Sequence, residues 1–314
     1  MLLLGFCAAT SAAWAQPVPL PAVIRLVVPF GPGSTTDVVA RKTAAQLATR
    51  LGNTVVVENR AGGSTLIGSG AVVNGPKDGS LLLVTTNSTV SAAATVKTMP
   101  FNFSRDLVPI AMLSEGPILV AASAKSGFKS PADLVAAARA QPDRVTYGTS
   151  GNGSLPHLST EAFASAAGIK LRHIPYKGGA FALVDLGSGV IDLQFGTYAT
   201  FAAQIKAGRV VPIAVTSEKP SAAFPDLPVM ASVAPGFKDA VWISVFAPAG
   251  LPAALAQRLN RELNEISASK ELREVQESDG SAPVALALEP LRLRMLAEVT
   301  AWQKLAAEKK IVVD

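Results

Sequence analysis

Apolar and polar positions alternate in blocks that repeat a strand-then-helix order. Residues 23–29 (VIRLVVP) form an almost continuous apolar run, the mark of a strand covered on both faces. A turn rich in Gly, Pro, Ser and Thr follows. Ala40, Ala44, Leu47 and Leu51 then recur at helical spacing, and Gly52 ends the helix. Ser34 and Asp37 stand at the Ser-x-x-Asp spacing of a capping box. Residues 54–58 (TVVVE) are the next strand, a short helix lies around 66–73, and 81–86 (LLLVTT) are a third strand. A βαβαβ order predicts a parallel, doubly wound sheet with right-handed crossovers.

A second series begins near residue 118. Short strands are predicted at 118–122, 145–149, 171–174, 193–195 and 213–215, with helices near 156–167 and 178–188 between them. Ser130-Pro131-Ala132-Asp133 opens another helix with an N-cap, a proline at the first helical position and an acid two residues on. Two long helices close the series. One is predicted over 252–278 with Leu255, Leu259, Leu263 and Ile266 inward, the other over 290–309 with Met295, Val299, Trp302 and Ala306 inward. The fold class is α/β: two lobes, each a doubly wound, mostly parallel sheet flanked by helices, with a cleft at the carboxyl ends of the strands.

Composition narrows the function. Of 314 residues 49% are hydrophobic and 16% charged, with a mean hydropathy of +0.35, which argues for a packed core and against disorder. Beyond residue 16, Pro, Gly or a charge interrupts every apolar run before the ~20 residues of a spanning helix. The net charge of +5 is scattered, with no basic block for nucleic acid. Residues 2–13 are a short apolar stretch, and Ala13-Trp14-Ala15 precedes Gln16 as an A-x-A cleavage pattern, so residues 1–15 read as a signal peptide. Its basic region is missing, since no Lys or Arg precedes Arg25, and a buried N-terminal helix is the alternative. The single cysteine, Cys7, follows the bulky Phe6, which argues against lipidation. The mature chain then has no thiol and two histidines, a poor set for metal, so no metal or cofactor is expected and the chain is read as exported and periplasmic.

Two loops carry candidate chemistry. Pro29-Phe30-Gly31-Pro32-Gly33-Ser34-Thr35-Thr36-Asp37 and Tyr147-Gly148-Thr149-Ser150-Gly151-Asn152-Gly153-Ser154-Leu155-Pro156-His157 each leave a strand and enter a helix. Glycines let backbone approach a ligand, and N–H groups at a helix start favour an anion. The first loop departs from a dinucleotide fingerprint at Thr36 and Pro32, although Glu58 stands near the ribose-binding position. The second lacks the final glycine of a nucleophile elbow, where Asn152 stands. A serine hydrolase would need His157 or His173 beside Ser150 or Ser154, with Asp185 or Asp192 as orienting acid. Neither loop holds an arginine, so amides, hydroxyls and water are expected to hold an acidic solute.

The same segments resemble the Bug family, the extracytoplasmic solute receptors of tripartite tricarboxylate transporters. The likeness rests on PFGPGSTTDVVAR (29–41), VVVENRAGGSTLIGS (55–69), PKDGSLLL (76–83), RDLVPIA (105–111), YGTSGNGSLPHLSTEAF (147–163), HIPYKGG (173–179), LGSGVIDLQF (186–195), IAVTSEKPSAAFPDLPV (213–229) and FAPAGLP (246–252), in order over the mature chain. The resemblance implies a two-lobed periplasmic-binding-protein fold of type II kind, divided into 16–118 plus 246–314 and 119–245. Its hinge is expected near 115–123 and 240–248, and it closes as a monomer on a small carboxylate. It points to Phe30, Gly31, Gly33, Ser34 and Thr35 in the first lobe. In the second it points to Thr149, Ser150, Gly151 and Ser154, with Asn87, Ser88, Phe195, Thr197 and Tyr198 completing the cleft. The implied partners are the membrane subunits of such a transporter; a signalling receptor and an exported hydrolase are the alternatives.

Two departures from the family pattern bear on the ligand. The first loop reads Gly33-Ser34 where the family has two glycines. The turn Ala61-Gly62-Gly63-Ser64-Thr65 has hydroxyl residues where the family has glycines. That turn either lines the cleft or only packs the second helix, with the packing role slightly preferred. Lys177 is expected to be solvated or to bridge the lobes, and Trp242 and Trp302 to be packing residues.

Overall fold

In a computed structural model, residues 20–314 are described; the signal-peptide reading of 1–15 lies outside them. The first sheet contains β1 (Val23–Val28), β2 (Thr54–Asn59), β3 (Leu81–Thr86), β4 (Leu107–Pro117) and β10 (Ala240–Pro248), in the order β2-β1-β3-β10-β4. The second contains β5 (Leu119–Ser123), β6 (Thr146–Thr149), β7 (Arg172–Pro175), β8 (Leu193–Gly196) and β9 (Val210–Val215), in the order β7-β6-β8-β5-β9. The parallel pairs are β1 with β2 and β3, and β6 with β7 and β8. β10 runs antiparallel between β3 and β4, and β5 antiparallel between β8 and β9. Two lobes of mixed α/β structure result, each mostly parallel around its switch point.

Helices α1 (Thr35–Leu51), α2 (Leu66–Val73) and α3 (Ser88–Thr95) follow β1, β2 and β3, and the short α4 (Phe103–Asp106) leads into β4. In the second lobe α5 (Pro131–Ala140), α6 (Leu155–Ala167), α7 (Gly179–Ser188) and α8 (Tyr198–Lys206) alternate with the strands. Ser34 caps α1 and Ser130 caps α5 through their hydroxyls, as their spacing predicts. The predicted helix over 252–278 is two helices, α9 (Ala253–Ser267) and α10 (Lys270–Asp279). The break falls where the Ser269 hydroxyl accepts from Leu272 N and starts a new helix. The apolar stripe survives the break, with Leu255, Leu259, Leu263 and Ile266 all buried. α11 (Leu288–Lys309) buries Met295, Val299, Trp302 and Ala306, and Trp242 is buried on β10, as packing residues.

The chain passes between the sheets twice, at Pro117–Leu119 and between β9 and β10. One hydroxyl ties the crossings: Thr216 Oγ1 donates to Asp239 O at 2.7 Å and accepts from Ile118 N at 2.9 Å. β10 pairs within the first sheet along its whole length, so residues 240–245, which the sequence division puts in the second lobe, belong to the first sheet. A run of strand residues says nothing of which distant strands it joins.

Candidate functional site

Doubly wound sheets open a crevice where neighbouring strands send their loops to opposite sides. Here those points lie between β1 and β3 in one sheet and between β6 and β8 in the other. A cavity of about 390 Å³ lies between the lobes. Its walls come from Pro29, Phe30 and Gly31 after β1, from Ala61, Gly62, Ser64 and Thr65 after β2, from one face of α3 and Val96 behind it, and from Ser150 and residues 152–156 after β6. None of the residues lining it has an ionisable side chain. The starts of α2, α3 and α6 all border it, and the loop into α1 adds the fourth side. Helix starts present unpaired N–H groups and a partial positive charge, so this neutral cavity is suited to an anion.

Asp37 holds the first loop. Its carboxylate accepts from Gly33 N at 2.9 Å, Arg41 Nε at 3.0 Å and Asn59 Nδ2 at 2.8 Å. The Arg41 guanidinium first, then the Gly33 and Asn59 donors, hold its pKa down at about 2 against the cost of burial. Gly33 (φ 82°), Ser34 and Thr35 therefore shape the loop and the start of α1 without lining the cavity, whereas Phe30 and Gly31 do line it.

The turn after β2 settles the question of Ser64 and Thr65: both line the cavity, so the packing role alone is set aside. Gly62, Gly63, Ser64 and Thr65 have φ of 124°, 55°, 52° and 77°, four consecutive left-handed residues. Glycine adopts this region freely, but a β-branched threonine there is strained by roughly 1–3 kcal/mol. A buried hydroxyl chain offsets the strain, with Thr65 Oγ1 2.9 Å from Thr89 Oγ1 and the latter 2.7 Å from Thr85 Oγ1.

In the second lobe Ser150 and Ser154 line the cavity, with Asn152, Gly153, Leu155 and Pro156, which the sequence reading had not singled out as contacts. Behind the loop, His157 Nδ1 accepts from Gly153 N at 3.1 Å, and His173 Nε2 is 2.7 Å from Thr149 Oγ1. The two imidazoles stack at 3.8 Å. Burial lowers the pKa of both and, with the neighbouring ring, brings His173 to about 4, so both rings are neutral near pH 7 and His157 can accept. His157 is thus the hydrogen-bonding residue its position at a helix start suggests. Neither of these nitrogens meets Ser150 or Ser154, whose hydroxyl donates instead to Gly151 O in the case of Ser154.

Several expected contacts do not reach the cavity. Thr149 and Asn87 are fully buried, the latter donating to Ala240 O at 2.7 Å. Phe195 is 1% exposed and packs on Phe163, on a strand covered on both faces. Gly151 shapes the loop with φ 129°. Thr197 bonds Thr200, and Tyr198 packs on Phe224 at 5.5 Å. Ser88 does line the cavity. Val313, far along the chain, completes the wall with no local sequence signal. Lys177 is exposed.

The model of the tripartite tricarboxylate transporter family receptor matches residues 39–307. BugT of Bordetella pertussis is 33% identical over 91% of this chain and 88% of its own. Among solved structures, an R. palustris protein with adipate is 32% identical with a TM-score of 0.80, covering 92% of this chain and 98% of that one. The periplasmic binding protein BugD is 29% identical with a TM-score of 0.76, over 92% of this chain and 98% of that one. The chain belongs to the tripartite tricarboxylate transporter family receptors, the Bug proteins. This is a family of periplasmic substrate-binding receptors, not enzymes. Among the described residues no helix is long and apolar enough to cross a membrane.

Proposed function

We propose that this protein is a monomeric periplasmic receptor that captures a small carboxylate between its lobes and delivers it to the membrane subunits of a tripartite tricarboxylate transporter. The observation that carries this reading is the neutral cavity bordered by three helix starts and the glycine-rich loop into a fourth. A carboxylate leaves water at little cost only when its oxygens accept several hydrogen bonds. Phe30, Gly31, Ser88, Ser150 and Ser154 are the contacts assigned to it from the sequence that also line the cavity, and Ser64, Thr65, Asn152 and Gly153 join them. The R. palustris relative solved with adipate supports a dicarboxylate as ligand. The binding is reversible and involves no covalent step.

A thermal-shift series with succinate, glutarate, adipate and citrate tests capture. Ligand at about 100 times its Kd adds about 2.7 kcal/mol. With roughly 2 cal/mol/K of unfolding entropy per residue, that raises Tm by about 4 °C. No shift with any carboxylate refutes capture. Unchanged carboxylate uptake in a strain lacking the protein refutes delivery, and its absence from osmotic-shock fluid refutes the location.

A further inference from the structure

We infer that residues 311–314, after α11, act as a strap across the ligand cleft, and that Val313 in it sets the chain length of the carboxylate the receptor prefers. This inference rests on the carboxylate-receptor reading and adds to it a specificity-determining residue.

The strap is fixed to the first lobe by backbone. Val313 forms a parallel bridge with Val96, its N–H donates to Thr95 O at 2.8 Å, and its carbonyl accepts from Lys97 N at 2.9 Å. The same strap holds the second lobe. Asn152 Nδ2 donates to Val312 O at 2.8 Å, and Thr95 Oγ1, beside the bridge, reaches Gly153 O at 3.3 Å. One turn back, Lys309 Nζ lies 3.1 Å from Glu161 Oε2 on α6, whose other oxygen accepts from Tyr147 OH at 2.6 Å. The loop from Ser150 to Ser154 is thereby seated on the strap.

The Val313 side chain then does something its backbone does not. It lines the cavity, whose other apolar walls include Val96, Leu155 and Pro156. Gly153 packs so closely that a Cβ there would lie 2.5 Å from Val313 Cγ2, so the two walls meet at this isopropyl group. The helix starts of both lobes offer N–H groups to anionic ends, while apolar side chains such as Val313 can cover only the methylene chain between them. An apolar group at that junction limits how much chain fits. Each methylene buried changes affinity by about fourfold, so the preferred length is sensitive to the room Val313 leaves.

Isothermal titration of succinate, glutarate, adipate and pimelate against the full chain and three variants tests this, with melting curves confirming the fold. In Val313→Ala the preference moves to longer diacids, by about fourfold in the affinity ratio for each methylene admitted. In Val313→Leu it moves to shorter ones by a similar factor. Lys309→Met, which unties the end of α11 from Glu161 without touching the cavity wall, shifts all four diacids by a common factor and leaves their ratios unchanged. Ratios that stay within twofold of the parent in both Val313 variants overturn the inference while the receptor reading stands. A parent that binds none of the four diacids overturns it too. If the parent also binds no other carboxylate, the receptor reading falls with it.

Discussion

At Gly153 a hydrogen stands where any other residue would place a Cβ against the strap and α3 of the first lobe. The backbone has φ 70°, and an added Cβ would lie 2.5 Å from Val313 and 2.6 Å from Thr95 Oγ1. Gly153→Ala therefore keeps the fold but prevents the loop from seating. The expected result is at least tenfold weaker carboxylate binding by titration with a melting temperature lowered by no more than a few degrees; unchanged affinity would count against this seating. Residues whose roles are local were legible in the sequence. Ser34 and Ser130 act within one helical turn, and their spacing announces them, whereas Asp37 also holds the distant Asn59. Thr149 and Phe195 were placed in the cleft by likeness to a motif, but both faces of their strands are covered, and each side chain is buried there. Ser64 and Thr65 were harder still, since left-handed φ at a non-glycine residue is held by the surrounding turn and by Thr89 rather than by the residue itself.

Among the elements, the strands and helices of the two βαβ series are nearly where the apolar pattern put them, because each has its own period and its own stop signals. The pattern failed where an element depends on distant chain. β4 and β10 were not read as strands, and β10 is inserted antiparallel between β3 and β4 far from both in sequence. The break between α9 and α10 was missed for a different reason: the inward stripe runs on through it, and only the Ser269 cap marks it. That cap is open to test. Ser269 also receives a bond from Gln46 Nε2 at 2.8 Å, which ties α10 to α1. Ser269→Ala should lower stability by about 1 kcal/mol, the usual cost of a lost N-cap, with somewhat more from the Gln46 bond. Denaturant unfolding measures it, and a midpoint equal to the parent's would show that the break does not need its cap.

At the scale of the whole molecule, the two crossings between lobes carry a buried acid. Asp239 lies at the end of the second crossing and lines an open groove of about 1210 Å³ between α6 and α11. Burial, and to a lesser degree the carboxylates of Glu298 and Glu115, raise its pKa to about 7 against the opposing Ser159 hydroxyl and Ala240 N–H. The sign follows from linkage. Below about pH 4 the carboxyl is protonated in both the folded and unfolded chain, and its contribution is fully present. As pH rises to about 7 the unfolded chain ionises first, so stability falls until the folded carboxyl also ionises. Asp239→Asn removes that loss: its melting temperature should match the parent near pH 4 and exceed it at pH 8. A gap that does not change with pH would show that Asp239 is not the titrating group.

The strap over the cleft also makes the molecule easy to instrument. Val312 is 52% exposed while its carbonyl holds the second-lobe loop, so a dye on its side chain would sit in solvent beside a contact that changes whenever the lobes part. Residues 20–314 contain no cysteine, so Val312→Cys would give that stretch a single thiol to label. One substitution and one fluorophore would turn the receptor into an optical reporter of its own occupancy.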